Sequence, residues 1–263
     1  MKNELIRSFI PNKKLEYKST LTILVLWVVS TLGFWMFSDH KLIPNPFEIL
    51  AAGKDLIVNK SLVNDLITST WLCMSAMFFS VFISLFLATL SVLPFFRPFS
   101  TFATKSRFLT AVGLSFLFAQ LTSDTSGQKM ALMIFGISVF LVTSFSTIIA
   151  EIKKEEFDYA RTLKMNEWET VWYVIILGKA DQFMEAIRQN FAIAWMMLPM
   201  VENLCRAEGG IGIVLFDQNK HFHLDAVYAV QIIILFMGIF LDWSLGFLKR
   251  VFFPYSVLTL ERK

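Results

Sequence analysis

His221 and His223 are two residues apart, with Asp217 and Asp225 flanking them. Two imidazoles and a carboxylate make a minimal metal-ligand set, but no cysteine lies near, and a polar loop is the plainer reading. Gly53-Lys54 and Gly178-Lys179 are the two Gly-Lys pairs. A phosphate-binding loop needs a further glycine five residues before that glycine, so that backbone amides can cradle the phosphate. Glu48 and Tyr173 stand at those positions, and neither H-E-x-x-H nor G-x-S-x-G occurs. The expectation is a chain with no catalytic residues, no metal and no cofactor of its own. Energy for any pumped transport would come from another subunit. Cys73 and Cys205 read as packing residues. Asp242 lies inside an apolar run, where an ionisable group is a functional candidate. Lys249 and Arg250 follow it, so a helix-end carboxylate, solvated or paired with one of these bases, is the plainer reading.

The elements that would position these groups follow from composition. Of 263 residues, 56% are hydrophobic and 17% charged, against roughly 45–50% and 25% in soluble domains. Mean hydropathy is +0.59. So apolar a chain does not stay solvated as a disordered polymer, two cysteines build no disulfide scaffold, and the charge supply is too small to cover a soluble surface. The class left is all-α, a polytopic integral membrane protein.

A bilayer core takes about 20 mostly apolar residues per helix. Six stretches qualify as spans: Ser19 to Ser38, the run between Asp65 and Arg97, the shorter run between Arg107 and Asp124, Met130 to Ala150, roughly Ile187 to Val201 closed by Glu202, and Ala226 to about Leu248. The first is too long for a signal peptide, and Asp39-His40-Lys41 follows it in place of a small-residue cleavage site. If the N-terminus is cytoplasmic, eighteen Lys and Arg fall inside and six outside. That asymmetry places both termini in the cytoplasm.

In the second span Ala76, Ser80, Ser84 and Ala88 recur every four residues, and Phe78, Phe82 and Phe86 recur about 200° away. Small residues let helix backbones approach closely in lipid, so the Ala/Ser stripe is expected inward and the Phe stripe outward. Plain packing is the simpler role for Ser80 and Ser84; lining a path is the functional one. Between spans four and five, residues 155–172 are charged and helix-prone. Glu155, Glu156 and Asp158 lie early, Arg161 and Lys164 follow, and Phe157, Ala160, Leu163 and Trp168 supply an imperfect apolar stripe. Such a helix either lies on lipid or docks in a partner's groove. Gly209, Gly210 and Gly212 precede Ile213-Val214-Leu215-Phe216, which reads as an irregular turn and a short helix closing the outer mouth.

Asp158-Tyr159-Ala160-Arg161-Thr162-Leu163-Lys164, with Ile176-Leu177-Gly178 downstream, resembles the E-A-A-x-x-x-G loop of binding-protein-dependent ABC transporter permeases. Ala160 matches the second alanine; Asp158, Tyr159 and Lys164 replace Glu, Ala and Gly, and Gly178 stands where proline is usual. Ile43-Pro44-Asn45-Pro46-Phe47-Glu48-Ile49-Leu50 is similar to the Leu-Pro-x-Pro-x-x-Val-Leu stretch of the nitrate/sulfonate/taurine group. So are Ala194-Trp195, Glu202 and Gly210-Ile211-Gly212, and then Gly238 to Asp242 with Lys249-Arg250 and Pro254-Tyr255. The resemblance covers about residues 20 to 255. It implies a type I importer permease of the bacterial inner membrane. The implied layout is a cytoplasmic segment 1–18, a peripheral first helix 19–38, a periplasmic connection 39–64, a five-helix core 65–255 holding a coupling helix 155–172, and a cytoplasmic tail 256–263. Asp158, Ala160, Arg161, Leu163 and Lys164 would meet the ATPase, and Ser80, Ser84, Glu202, Gly210 and Gly212 would line or gate the path. Implied partners are two ATPase subunits carrying ATP and Mg, a second permease subunit, a periplasmic or lipoprotein solute-binding protein, and membrane lipid, with no nucleic acid.

 The second permease subunit is expected as another copy of this chain. The solute would be a small oxyanion or organic acid such as nitrate, a sulfonate or taurine, with thiamine or pyrimidine precursors also in the group's range. Lysine at 164 implies a different turn or a helix that continues, and the missing proline removes a break before the fifth span. The rival reading is a structural or regulatory membrane subunit with an eroded motif that transports nothing.

The basic-residue asymmetry makes a direct prediction about Lys220. A Lys220→Cys variant is expected to react with an impermeant thiol reagent in intact cells; reaction only after permeabilisation would overturn the six-span orientation.

Overall fold

The computed structural model describes residues 17–36, 44–59, 62–206 and 209–255. Most of the cytoplasmic segment 1–18, the end of the first span with Asp39-His40-Lys41, and the tail 256–263 lie outside the described residues. The regular structure among the described residues is helical, with no strand among them. In chain order the helices are α1 (Tyr17–Met36), α2 (Pro46–Asn59), α3 (Leu62–Leu90), α4 (Arg97–Lys105), α5 (Ala111–Leu121) and α6 (Thr125–Ala150). They continue with α7 (Lys154–Thr162), α8 (Glu167–Thr170), a π-helical turn (Val171–Leu177), α9 (Ala180–Leu204), α10 (Ile211–Lys220) and α11 (Leu224–Phe252).

Three helices, α3, α6 and α11, are long and apolar enough to cross a membrane. They fall on the second, fourth and sixth expected spans, and the chain is a helical membrane protein. The other three stretches are each different. Helix α1 has 20 residues, and most of its large apolar side chains are exposed. Helix α5 has only 11 residues, about 16 Å of rise against a bilayer core of about 30 Å. Caps set that length. Thr110 accepts the Gly113 N–H at 3.4 Å to start α5, Thr122 turns extended to end it, and Asp124 accepts the Gly127 N–H at 2.9 Å to start α6. Helix α9 has 25 residues, but Asp181, Glu185, Arg188 and Glu202 sit toward its ends.

Helices α3 and α6 form the central pair, α9 packs on α6, and α10 and α11 close over α9. Helix α2 lies against α11, with Gly53 facing Ala229. The buried face of α3 carries Ser69, Cys73, Ala76, Ser80, Ser84 and Ala88. Phe78, Phe82 and Phe86 on the other face are exposed. Ser80 and Ser84 Oγ each donate to a backbone carbonyl of α6, Ile134 and Ser138, both at 3.1 Å. The small stripe thus brings the two backbones within reach of side-chain hydrogen bonds that a larger residue would prevent.

Ser80→Phe is expected to destabilise the chain by about 1–3 kcal/mol by forcing α3 and α6 apart. Phe82→Leu is expected to stay within about 0.5 kcal/mol of the parent. Thermal unfolding in detergent compares the two, and equal losses would show the faces reversed.

Candidate functional site

The glycine turn before α10 is held by side chains from three other helices. Gly209 has φ +79° and Gly210 φ +136°, a backbone region that favours glycine. Helix α10 starts directly after them. Its first N–H groups have no partner within the helix, and here they are capped from outside. The Ile211 N–H donates to Ser69 Oγ on α3 at 2.9 Å, and the Gly212 N–H donates to Glu202 Oε2 on α9 at 2.7 Å. The Ser69 hydroxyl in turn donates a hydrogen bond to Glu202 Oε1 at 2.5 Å. One turn before Ser69, Asp65 Oδ1 accepts the Gly210 N–H at 3.1 Å. Lys129 of α6 donates to the Gly209 carbonyl at 3.1 Å, and its charge attracts the Glu202 carboxylate.

Glu202 is 0% and Lys129 5% exposed. A buried carboxylate persists when donors and a compensating charge surround it, and the positive end of α10 adds to both. The space is filled. A Cβ on Gly210 would lie 2.5 Å from the Glu202 carboxyl, one on Gly209 2.7 Å from Asp65 Oδ1, and one on Gly212 2.5 Å from the Pro199 backbone. Chemically the cluster holds no activated nucleophile. It is a latch that ties α3, α6, α9 and the turn before α10 together.

The expected turn and short helix after Gly210 are present, and Glu202, Gly210 and Gly212 meet in one cluster. Ser80 and Ser84 lie apart from it, in the α3–α6 contact. Asp65, Ser69 and Lys129 were missed as site residues. Asp65 and Lys129 read only as span boundaries and basic-residue counts, although two ionisable groups at span ends and a serine four residues from one of them were visible signals.

The second polar group lies toward the other end of α9. Arg188 reaches across to α11, with its Nη1 3.1 and 3.0 Å from the two Asp242 carboxylate oxygens. Its Nη2 donates to Glu185 at 2.8 Å, and Lys249 Nζ donates to Glu185 at 2.7 Å. Asp242, half exposed to solvent as one of the two expected alternatives had it, is paired with a base from α9 and not with Lys249 or Arg250 on its own helix. Hydrogen bonds from Arg188, and then Lys249, hold the Glu185 carboxyl, which precedes the apolar stretch of α9, down to about 2 against the upward pull of partial burial. Between the two polar groups the Trp195 indole donates to the Ile234 carbonyl at 3.0 Å, and Gly238 gives the ring its room.

The segment 155–172 is not one helix. Helix α7 ends at Thr162, and Lys164 takes φ +55°. The Met165 N–H bonds the Ala160 carbonyl at 3.2 Å and the Lys164 N–H the Arg161 carbonyl at 3.0 Å, the paired bonds of a Schellman turn. Lysine thus makes the sharp turn that a glycine would favour. The break before α9 is present without proline, formed by the π-helical turn and by Lys179, whose backbone leaves the helical region. Ala160 is 1% exposed, covered within the chain and not offered to a partner. The outward residues are Tyr159, Leu163 and Trp168, with Asp158 and Arg161 paired to each other at 3.2 Å. The apolar stripe therefore divides: Phe157 packs toward the core, while Leu163 and Trp168 face out.

Removing the latch has a defined cost. Glu202→Ala leaves the Gly212 N–H and the Ser69 hydroxyl buried without an acceptor, about 1–3 kcal/mol each. Glu202→Gln keeps one oxygen for Gly212 and is expected to lose less, while Gly210→Ala, strained and clashing with Glu202, is expected to lose as much as Glu202→Ala. Thermal unfolding in detergent gives the order, and an unchanged midpoint in Glu202→Ala would refute the latch.

No family model matches the chain, and no curated protein is significantly similar to it.

Proposed function

We propose that this chain is the permease subunit of an ABC importer in a bacterial inner membrane. In this reading α1, α3, α5, α6, α9 and α11 are the six membrane elements, with α5 a short one, and both termini are cytoplasmic. Two copies form the path for a small oxyanion or organic acid, a binding protein delivers it, and two ATPases carrying ATP and Mg drive the cycle. The observation that carries the reading is the Lys164 turn. The resembled loop ends its helix with a glycine at this position, and the chain here makes a left-handed turn at the same residue although lysine occupies it. Sequence alone allowed a helix that simply continued.

The outward face of that turn is the coupling surface in this proposal. Tyr159, Leu163 and Trp168 supply exposed apolar area beside the Asp158–Arg161 pair. Its wall is closed behind by Ala160, which positions α7 and does not touch the ATPase. The second reading, a transport-inactive structural subunit, draws on Asp158 and Lys164 standing where the resembled loop has Glu and Gly.

Purification from native membranes separates the two. An ATPase is expected to elute with the parent chain. Leu163→Glu should weaken its retention roughly tenfold or more by removing about 1.5–3 kcal/mol of apolar burial, while the chain stays folded in the membrane. A parent chain that elutes with no ATPase would favour the transport-inactive subunit.

A further inference from the structure

On the side of the bundle where α7 lies, a cavity of about 560 Å³ opens between the end of α3, α4, the end of α6 and the π-helical turn. It belongs neither to the Glu202 latch nor to the outward face of α7. Its polar lining is Arg97 with Ser91, Ser100, Thr101, Thr104 and Ser146, and no lining residue is acidic. We propose that this cavity binds a phosphoryl group, carried either by an anionic lipid headgroup or by a soluble phosphate.

The donors decide the chemistry. Arg97 makes no ion pair among the described residues, so its guanidinium fork is free for an oxyanion. Ser100, 4% exposed, lines the cavity. The Ser146 Oγ is buried in the same lining with no hydrogen-bond partner. Buried hydroxyls are ordinarily satisfied, so an unpartnered one lining a cavity beside an arginine free of ion pairs points to an acceptor that comes from outside the chain. Ser91, Thr101 and Thr104 already donate to the Ala88, Arg97 and Thr101 carbonyls, so they do not compete for that acceptor. Helix α4 begins at Arg97 with no acidic residue in its first turn and no side-chain cap, so its positive end is not neutralised from within the chain. The remaining wall is Val92, Ile149, Ala150, Phe157 and Ile175. That apolar surface suits a phosphoryl group joined to a hydrocarbon chain.

The test uses the full chain purified in detergent and in nanodiscs. In nanodiscs of mixed phosphatidylglycerol and phosphatidylcholine, native mass spectrometry is expected to find phosphatidylglycerol retained preferentially. In detergent, inorganic phosphate is added and the thermal midpoint followed. Arg97→Gln is expected to weaken the bound anion at least about tenfold, and Ser100→Ala to weaken it less. Arg97 is exposed and unpaired, so the variant is expected to fold, and an unchanged elution profile and helical content verify this. Selective lipid retention lost in Arg97→Gln identifies a headgroup; stabilisation by phosphate alone, lost in the same variant, identifies a soluble anion. Binding of neither probe, or binding indifferent to Arg97→Gln, overturns the proposal. The outcome does not depend on whether the chain transports a solute.

Discussion

A carboxylate with no access to water constrains everything near the turn before α10. Glu202 needs donors on both oxygens, and it receives them from Ser69 and from Gly212. Those donors fix where α3 and α10 stand relative to α9. The requirement then spreads. Gly210 must lack a side chain because the carboxyl occupies its place, Gly212 must lack one because Pro199 does, and Asp65 and Lys129 hold the turn from either side. Together they leave the turn a single conformation, because relaxing one strands a buried polar group elsewhere.

Helix α9 is held at both ends by different means. Toward its C-terminus the contact is a buried charge with backbone donors. Toward its N-terminus it is an ion-pair network, Glu185–Arg188–Asp242 with Lys249, partly open to solvent. In the middle, Trp195 and Gly238 fit by shape. A helix with ionisable groups at both ends cannot slide along its axis without separating one set; against α11 its register is marked by the Arg188–Asp242 and Lys249–Glu185 pairs and by the Trp195 indole on the Ile234 carbonyl.

Local spacing made some of this legible. The four-residue stripe on α3 and its opposing phenylalanines depend only on helical geometry, and both faces stand where the spacing puts them. The glycine turn and short helix after Glu202 could also be read. Glu202's partners could not, because Ser69 lies 133 residues away and nothing in the sequence states that separation. The partner of Asp242 was hidden for a related reason: neighbouring bases on the same helix are visible in a sequence, and a base on another helix is not. The length of α5 depends on caps at Thr110 and Thr122 that hydropathy does not register. Lys164 carries no turn signal at all, since lysine is a good helix former.

The latch also has an order in time. Ser69 and Ile211 are 142 residues apart. At a synthesis rate of about 5–20 residues per second, roughly 7–28 s pass between the appearance of one and of the other. Through that interval Asp65 and Ser69, joined partway by Lys129, exist without the backbone groups they will bind. The early helices must therefore wait at the membrane with polar side chains open, exposed to insertion machinery, lipid headgroups or water, until the glycine turn arrives to claim them.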